Sequence, residues 1–125
     1  MNFKVLIVDD DYINRMLLTS LLKRTLYKIE IIESVDGEDA LRKCKENLDI
    51  QLILLDVEMP NMDGSKFLIN YKKNRSLPDI PIIAVSSNDL RIKEILELGA
   101  HSFLVKPVTE EKLLSAIMKS QKKQR

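Results

Sequence analysis

The chain has 125 residues and a mass of 14.4 kDa, 45 % hydrophobic and 31 % charged, which is the profile of one globular domain. Twenty basic against nineteen acidic residues leave a formal charge of +1, so no bulk field draws nucleic acid or anionic lipid. The single Cys44 excludes an internal disulfide and a Cys-rich metal site, and no apolar run approaches the roughly 20 residues of a membrane span. Asp9 to Asp11 cut the first apolar run short, so no leader is expected and the default compartment is the cytosol.

In chain order, FKVLIV (3–8) reads as a buried strand and ends in Asp9, Asp10 and Asp11. Residues 12–26 carry Ile13, Met16, Leu17, Leu21 and Leu22, which predicts a helix with a broad apolar face. IEIIES (29–34) is a strand whose apolar character is broken by Glu30 and Glu33, placing it at a sheet edge. Residues 37–47 put Ala40, Leu41 and Cys44 on one helical face, continued by Leu48. QLILL (51–55) is a strand that leads directly into Asp56. Residues 64–74 offer Phe67, Leu68 and Tyr71 to a core, and PIIAVS (81–86) is a strand ending in Ser86 and Ser87. A helix over 88–98, with Ile92, Ile95 and Leu96 inward, stops at Gly99. SFLV (102–105) is the last strand and hands over to Lys106 and Pro107. A helix over 109–120 is opened by Thr109 as N-cap with Glu110 and Glu111 behind it, and offers Leu113, Leu114, Ile117 and Met118. The domain is expected to occupy residues 1–119, with a frayed basic tail over 120–125.

Strict alternation of short apolar runs and helical segments predicts an α/β fold, a (βα)5 three-layer sandwich around a parallel five-stranded sheet. Five strands suit the flavodoxin-like order 2-1-3-4-5, in which ligands sit at the carboxyl ends of strands 1 and 3. Those ends carry Asp9, Asp10 and Asp56, while Ser86 and Lys106 end strands 4 and 5. Crowded carboxylates repel, and a proton or a divalent cation relieves them. An all-oxygen donor set favours Mg²⁺, with Asp10 and Asp56 as direct ligands and Asp9 holding a metal-bound water. With the Lys106 ammonium and the Ser86 hydroxyl opposite, the set suits a phosphoryl group on Asp56. Taken singly, each residue has a plainer role: Asp10 or Asp11 as helix cap, Ser86 as a satisfied hydroxyl, Lys106 as a solvated charge. Their coincidence at one sheet edge favours the chemical reading.

The motifs VLIVDDD (5–11), LLDVEMPNMDG (54–64), AVSS (84–87) and GAHSFLVKP (99–107) together resemble a response-regulator receiver domain of the CheY type. The resemblance spans essentially the whole chain. It implies that Asp56 is the phosphoacceptor, that Asp9 and Asp10 are the acid pair for Mg²⁺, and that the Glu58 backbone carbonyl is a further ligand. Ser86 takes the hydroxyl position, Lys106 the lysine position, and the Lys106–Pro107 bond is expected to be cis. Ser86 and the aromatic Phe103 would form the switch, which rests on packing because Phe103 lacks a phenolic hydroxyl. Glu58 and Asn88 stand at positions that tune phosphoryl lifetime. The resemblance further implies a histidine kinase or histidine phosphotransfer protein as donor. An unidentified downstream protein would read the helix 4–strand 5–helix 5 face, with no direct nucleic-acid binding and no membrane association. The beginning at Met1, just before the first strand, favours a free-standing regulator.

A competing reading is a Mg²⁺-dependent phosphohydrolase of the haloacid-dehalogenase type, with Asp9 as nucleophile and Asp11 as acid. Tyr12–Ile13 stand where that family has Gly-Thr, and the chain is short for its core plus cap. A nucleotide or flavin module is excluded because Gly37, Gly64 and Gly99 are isolated, forming no phosphate-cradling loop. His101 reads as a surface or edge histidine, and Cys44 as core.

Overall fold

The computed structural model describes residues 2–123, and everything below concerns those residues. Five strands, β1 (Phe3–Val8), β2 (Ile29–Ser34), β3 (Leu52–Asp56), β4 (Ile82–Ser86) and β5 (Ser102–Val105), form one parallel sheet in the order β2-β1-β3-β4-β5. Both the flavodoxin-like order and the edge position of β2 are as expected from the apolar pattern. The central strand β3 is buried at every residue, whereas β2 alternates and leaves Glu30 and Glu33 exposed.

Alternation along the strands divides the core in two. Val5, Ile7, Leu52, Leu54 and Ile83 face α1 (Tyr12–Thr25) and α5 (Glu110–Lys123), where Leu18, Leu22, Leu113 and Ile117 complete one cluster. Leu6, Val8, Ile53, Leu55 and Ala84 face the other way. There they meet α2 (Gly37–Glu46), α3 (Gly64–Lys73) and α4 (Ile92–Glu97) through Ala40, Cys44, Phe67, Leu68, Tyr71 and Ile95. Helix starts follow the caps: Asp11, Asp36, Asp63 and Thr109 each accept a backbone N–H of the first turn.

Three expectations need correction. Ile13, Met16 and Leu17 are exposed, because α1 meets the sheet through a narrow stripe at Leu18 and Leu22, with Leu21 at its margin, and packs beside α5. Leu48 lies beyond the end of α2 and is exposed, and Leu96 and Met118 also face outward. The segment before α4 is not α-helical throughout: Asp89–Arg91 form a 3₁₀ turn that buries nothing, so no packing imposes α geometry there. Helix α5 runs to Lys123 and Ser120 is buried, its hydroxyl donating to the Ile117 carbonyl at 2.7 Å. Of the tail expected over 120–125, positions 124 and 125 lie outside the described residues.

Candidate functional site

Parallel pairing brings the carboxyl ends of β1, β3, β4 and β5 to one edge, and with them Asp9, Asp10, Asp56, Ser86 and Lys106. Carboxylate oxygens of Asp9, Asp10 and Asp56 all lie within 4.8 Å of one another. Asp11 is withdrawn from this group, since its Oδ1 accepts the Ile13 N–H at 2.8 Å and caps α1. The dehalogenase-type reading, which needed Asp11 as acid beside Asp9, is not favoured.

Asp9 is buried and held from two sides. Its Oδ1 accepts the Asp11 N–H at 2.9 Å, and Arg15 donates to its backbone carbonyl at 2.8 Å while also pairing with Glu33 at 2.8 Å. Its Oδ2 is buried with no hydrogen-bond partner. A buried carboxylate oxygen without a donor is costly. A cation beside it satisfies that oxygen, so the residues present fit Mg²⁺. Burial pushes the Asp9 carboxyl above its ordinary range, helped by the neighbouring Asp10 and Asp11. Asp56 is pushed up to about 7, chiefly by burial and then by Asp9, against the opposing pull of Lys106. The Lys106 ammonium stands 3.4 Å from Asp56 Oδ1, and the Lys106–Pro107 peptide bond is cis.

The loop after β3 folds back tightly over this edge. Gly64 N–H donates to the Val57 carbonyl at 2.8 Å, and a Cβ at Gly64 would stand 2.8 Å from Val57 Cα. Only glycine admits that approach without shifting the backbone beside Asp56.

Ser86 ends β4 beside Val105 of β5. Its hydroxyl donates to Glu58 Oε1 at 2.6 Å and accepts the Asn88 N–H at 2.9 Å. Sequence reasoning also missed Arg91, whose guanidinium lies 3.5 Å from Glu58 and 3.6 Å from Asp63. No spacing rule links Glu58 to Arg91, so nothing local signalled the pair. Phe103 is half-buried, opposite Ala84 on β4 and packed against the α2–α3–α4 cluster. His101 lies before β5 with its Nδ1 accepting the Ile82 N–H at 3.2 Å, and the buried Cys44 thiol is pushed up to about 12, which leaves it unreactive.

A doubly covered parallel sheet with an acid pocket at the ends of β1 and β3 is the architecture of flavodoxin-like signalling domains. The family model for the response regulator receiver domain matches residues 5–118, and the chain belongs to that family as a receiver domain of two-component response regulators. Among curated relatives it is 35 % identical to the two-component response regulator ORR3 of Oryza sativa, over 83 % of this chain and 79 % of that protein. It is 36 % identical to ORR7 from the same species, again over 83 % of the chain, but spans only half of that protein's length. Among solved structures, that of the CheX-CheY-BeF3-Mg+2 complex from Borrelia burgdorferi matches with a TM-score of 0.83 and 33 % identity. The match covers 94 % of this chain and 87 % of that one. The chemotaxis response regulator CheY4 of Vibrio cholerae matches with a TM-score of 0.84 and 28 % identity, over 96 % of this chain and 99 % of that one.

Proposed function

We propose that Asp56 accepts a phosphoryl group from a phosphohistidine on a kinase or phosphotransfer protein, and that the chain passes the signal to a separate protein. The observation that carries this reading is Asp56 itself: a buried carboxylate at the end of the central strand, within reach of Lys106 and two further acids. In the transfer, an Asp56 carboxylate oxygen attacks phosphorus, the P–N bond to the donor imidazole breaks, and the imidazole leaves as the proton-bearing ring. Asp9, Asp10, Asp56 and the Glu58 backbone carbonyl would hold Mg²⁺, which neutralises phosphoryl charge when bound. Lys106 offers a second, fixed cation to the same oxygens. The Borrelia relative, described in complex with BeF3 and Mg+2, supports Mg²⁺ as the cation.

The chain's own chemistry is limited to this transfer and to hydrolysis of its acyl phosphate. Donor approach is supported by exposed apolar side chains beside the site: Tyr12, Ile13, Met16 and Leu17 line the open face of α1. Leu17 also borders a groove of about 490 Å³ that reaches Asp9 and Lys106. On the output side, the reading assigns Ser86 and Phe103 to the switch and the α4–β5–α5 face to the partner. No described helix is long and apolar enough to cross a membrane. A cytoplasmic setting belongs to the proposal because phosphohistidine donors are charged with ATP there.

Incubation with acetyl phosphate and Mg²⁺ should add one phosphoryl group, about 80 Da by intact mass. Asp56→Asn should abolish the gain. Labelling of that variant at the wild-type level would move the acceptor elsewhere.

A further inference from the structure

The Ser86 hydroxyl has one O–H to donate, and in this structure it donates to Glu58 Oε1 at 2.6 Å, with the Asn88 carbonyl a longer alternative at 3.4 Å. Ser86 is fully buried, so water does not substitute for that acceptor. The second Glu58 oxygen faces Arg91 Nη1 at 3.5 Å, and the same nitrogen lies 3.6 Å from Asp63 Oδ2. Arg91 Nε pairs with Glu94 Oε1 at 3.0 Å. One guanidinium thus ties the β3–α3 loop, through Glu58 and Asp63, to the 3₁₀ turn and α4, through its own backbone and Glu94. Its side chain is 22 % exposed, against 42 % for Glu58, so the arginine is the better-held partner.

We propose that Glu58 is a built-in competitor for the Ser86 hydroxyl, and that Arg91 is the positioning residue that keeps Glu58 in place. This rests on the assignment of Asp56 as phosphoacceptor. A phosphoryl oxygen on Asp56 and the Glu58 carboxylate cannot both accept the one Ser86 O–H. Their like charges also oppose each other across the site. Forming the phosphorylated state therefore displaces Glu58, which loosens its tie to Arg91 and releases the 3₁₀ turn and α4 from the β3–α3 loop. By linkage, whatever weakens the Glu58–Arg91 pair favours the phosphorylated state to the same degree.

The test is a beryllofluoride titration at saturating Mg²⁺, read by the half-saturating concentration, with phosphorylation of the wild-type chain by acetyl phosphate as a parallel control. Beryllofluoride is not hydrolysed as an acyl phosphate is, so any effect of Glu58 on phosphoryl lifetime drops out. Arg91→Ala and Glu58→Ala should each lower the half-saturating concentration about fivefold. The double variant should match Glu58→Ala alone, because both changes open the same lock. Arg91→Lys, which keeps the charge but not the fork, should fall between Arg91→Ala and wild type. In the wild type, amide hydrogen exchange over residues 88–94 should accelerate on beryllofluoride binding, and in Arg91→Ala it should be fast beforehand. An unchanged or raised half-saturating concentration in Arg91→Ala would overturn the lock, as would an Arg91→Ala effect that persists undiminished beside Glu58→Ala. Failure of the wild type to gain mass with acetyl phosphate would instead remove the phosphoacceptor assignment, and the lock with it.

Discussion

The Asp56 carboxyl is asked to do two things that burial sets against each other. As a nucleophile it must be ionised, yet burial and Asp9 push it up to about 7, so in the absence of a cation it is substantially protonated near neutrality. The consequence for stability has a definite sign. Between the unfolded value near 4 and the folded value near 7, the folded chain binds more protons at Asp56 than the unfolded chain does. The stability associated with this group is therefore present at low pH and lost as pH rises through that window, by on the order of a few kcal/mol. Asp56→Asn keeps the shape without the charge. Urea denaturation in EDTA should show it more stable than wild type at pH 8, with a margin that shrinks to roughly 1.4 kcal/mol at pH 5. An advantage that is the same at both pH values would show that ionisation of Asp56 is not the cause. At the same scale, Asp9 and Asp56 were legible in the sequence as acids ending buried strands. The Glu58 acceptor for Ser86 was not, because a hydrogen bond between residues 28 positions apart leaves no local pattern.

Among the elements, α1 shows best what periodicity leaves open. Its apolar residues satisfy a helical repeat, and the helix forms, but the sheet takes only Leu18 and Leu22 into the core, with Leu21 at its margin. The surplus, Tyr12, Ile13, Met16 and Leu17, faces outward near the pocket. Periodicity reports that a residue is apolar and on a given side, not whether a neighbour arrives to cover it. Because this surface is already solvated, Ile13→Ser and Leu17→Ser should change stability by less than about 0.5 kcal/mol. Labelling by acetyl phosphate should be unaffected. Transfer from a histidine-phosphorylated donor protein that labels the wild type should slow about tenfold, the effect of losing a central apolar contact. Equal loss with both phosphoryl sources would place the defect in the pocket rather than in docking. At the start of α3 the structure supplies what periodicity did not: Asp63 caps the helix and Gly64 must lie against Val57.

For the molecule as a whole, two faces of one sheet are packed by different sets of helices, and the acid pocket sits where the ends of β1 and β3 meet. Such a pocket is electrostatically unfavourable until something neutralises it, with the Asp9 Oδ2 orphan as its clearest mark. Mg²⁺ at about ten times its dissociation constant should add roughly 1.4 kcal/mol to folding stability, measured as a rise in the thermal midpoint. Asp10→Ala should remove most of that rise. A midpoint indifferent to millimolar Mg²⁺ at pH 8 would argue against the metal assignment.

The near-neutral total charge belongs to this same scale, since it averages over acids gathered at one sheet edge and lysines spread elsewhere. What the sequence by itself determined was the order of elements, the parallel sheet and the edge at which Asp9, Asp10 and Asp56 gather. These follow from short-range periodicity and from the rule that buried parallel strands read as continuous apolar runs. The cap at Thr109 was legible for the same reason, and that of α1 to within Asp10 or Asp11, since a cap acts within one turn. Only the tertiary structure decided which apolar residues stay exposed on α1, that α5 continues past Ser120, and that the Ser86 hydroxyl donates to Glu58, which lies beside Arg91. Each of those depends on which distant segment arrives as a neighbour, and that is fixed by packing across the sheet rather than by spacing along the chain.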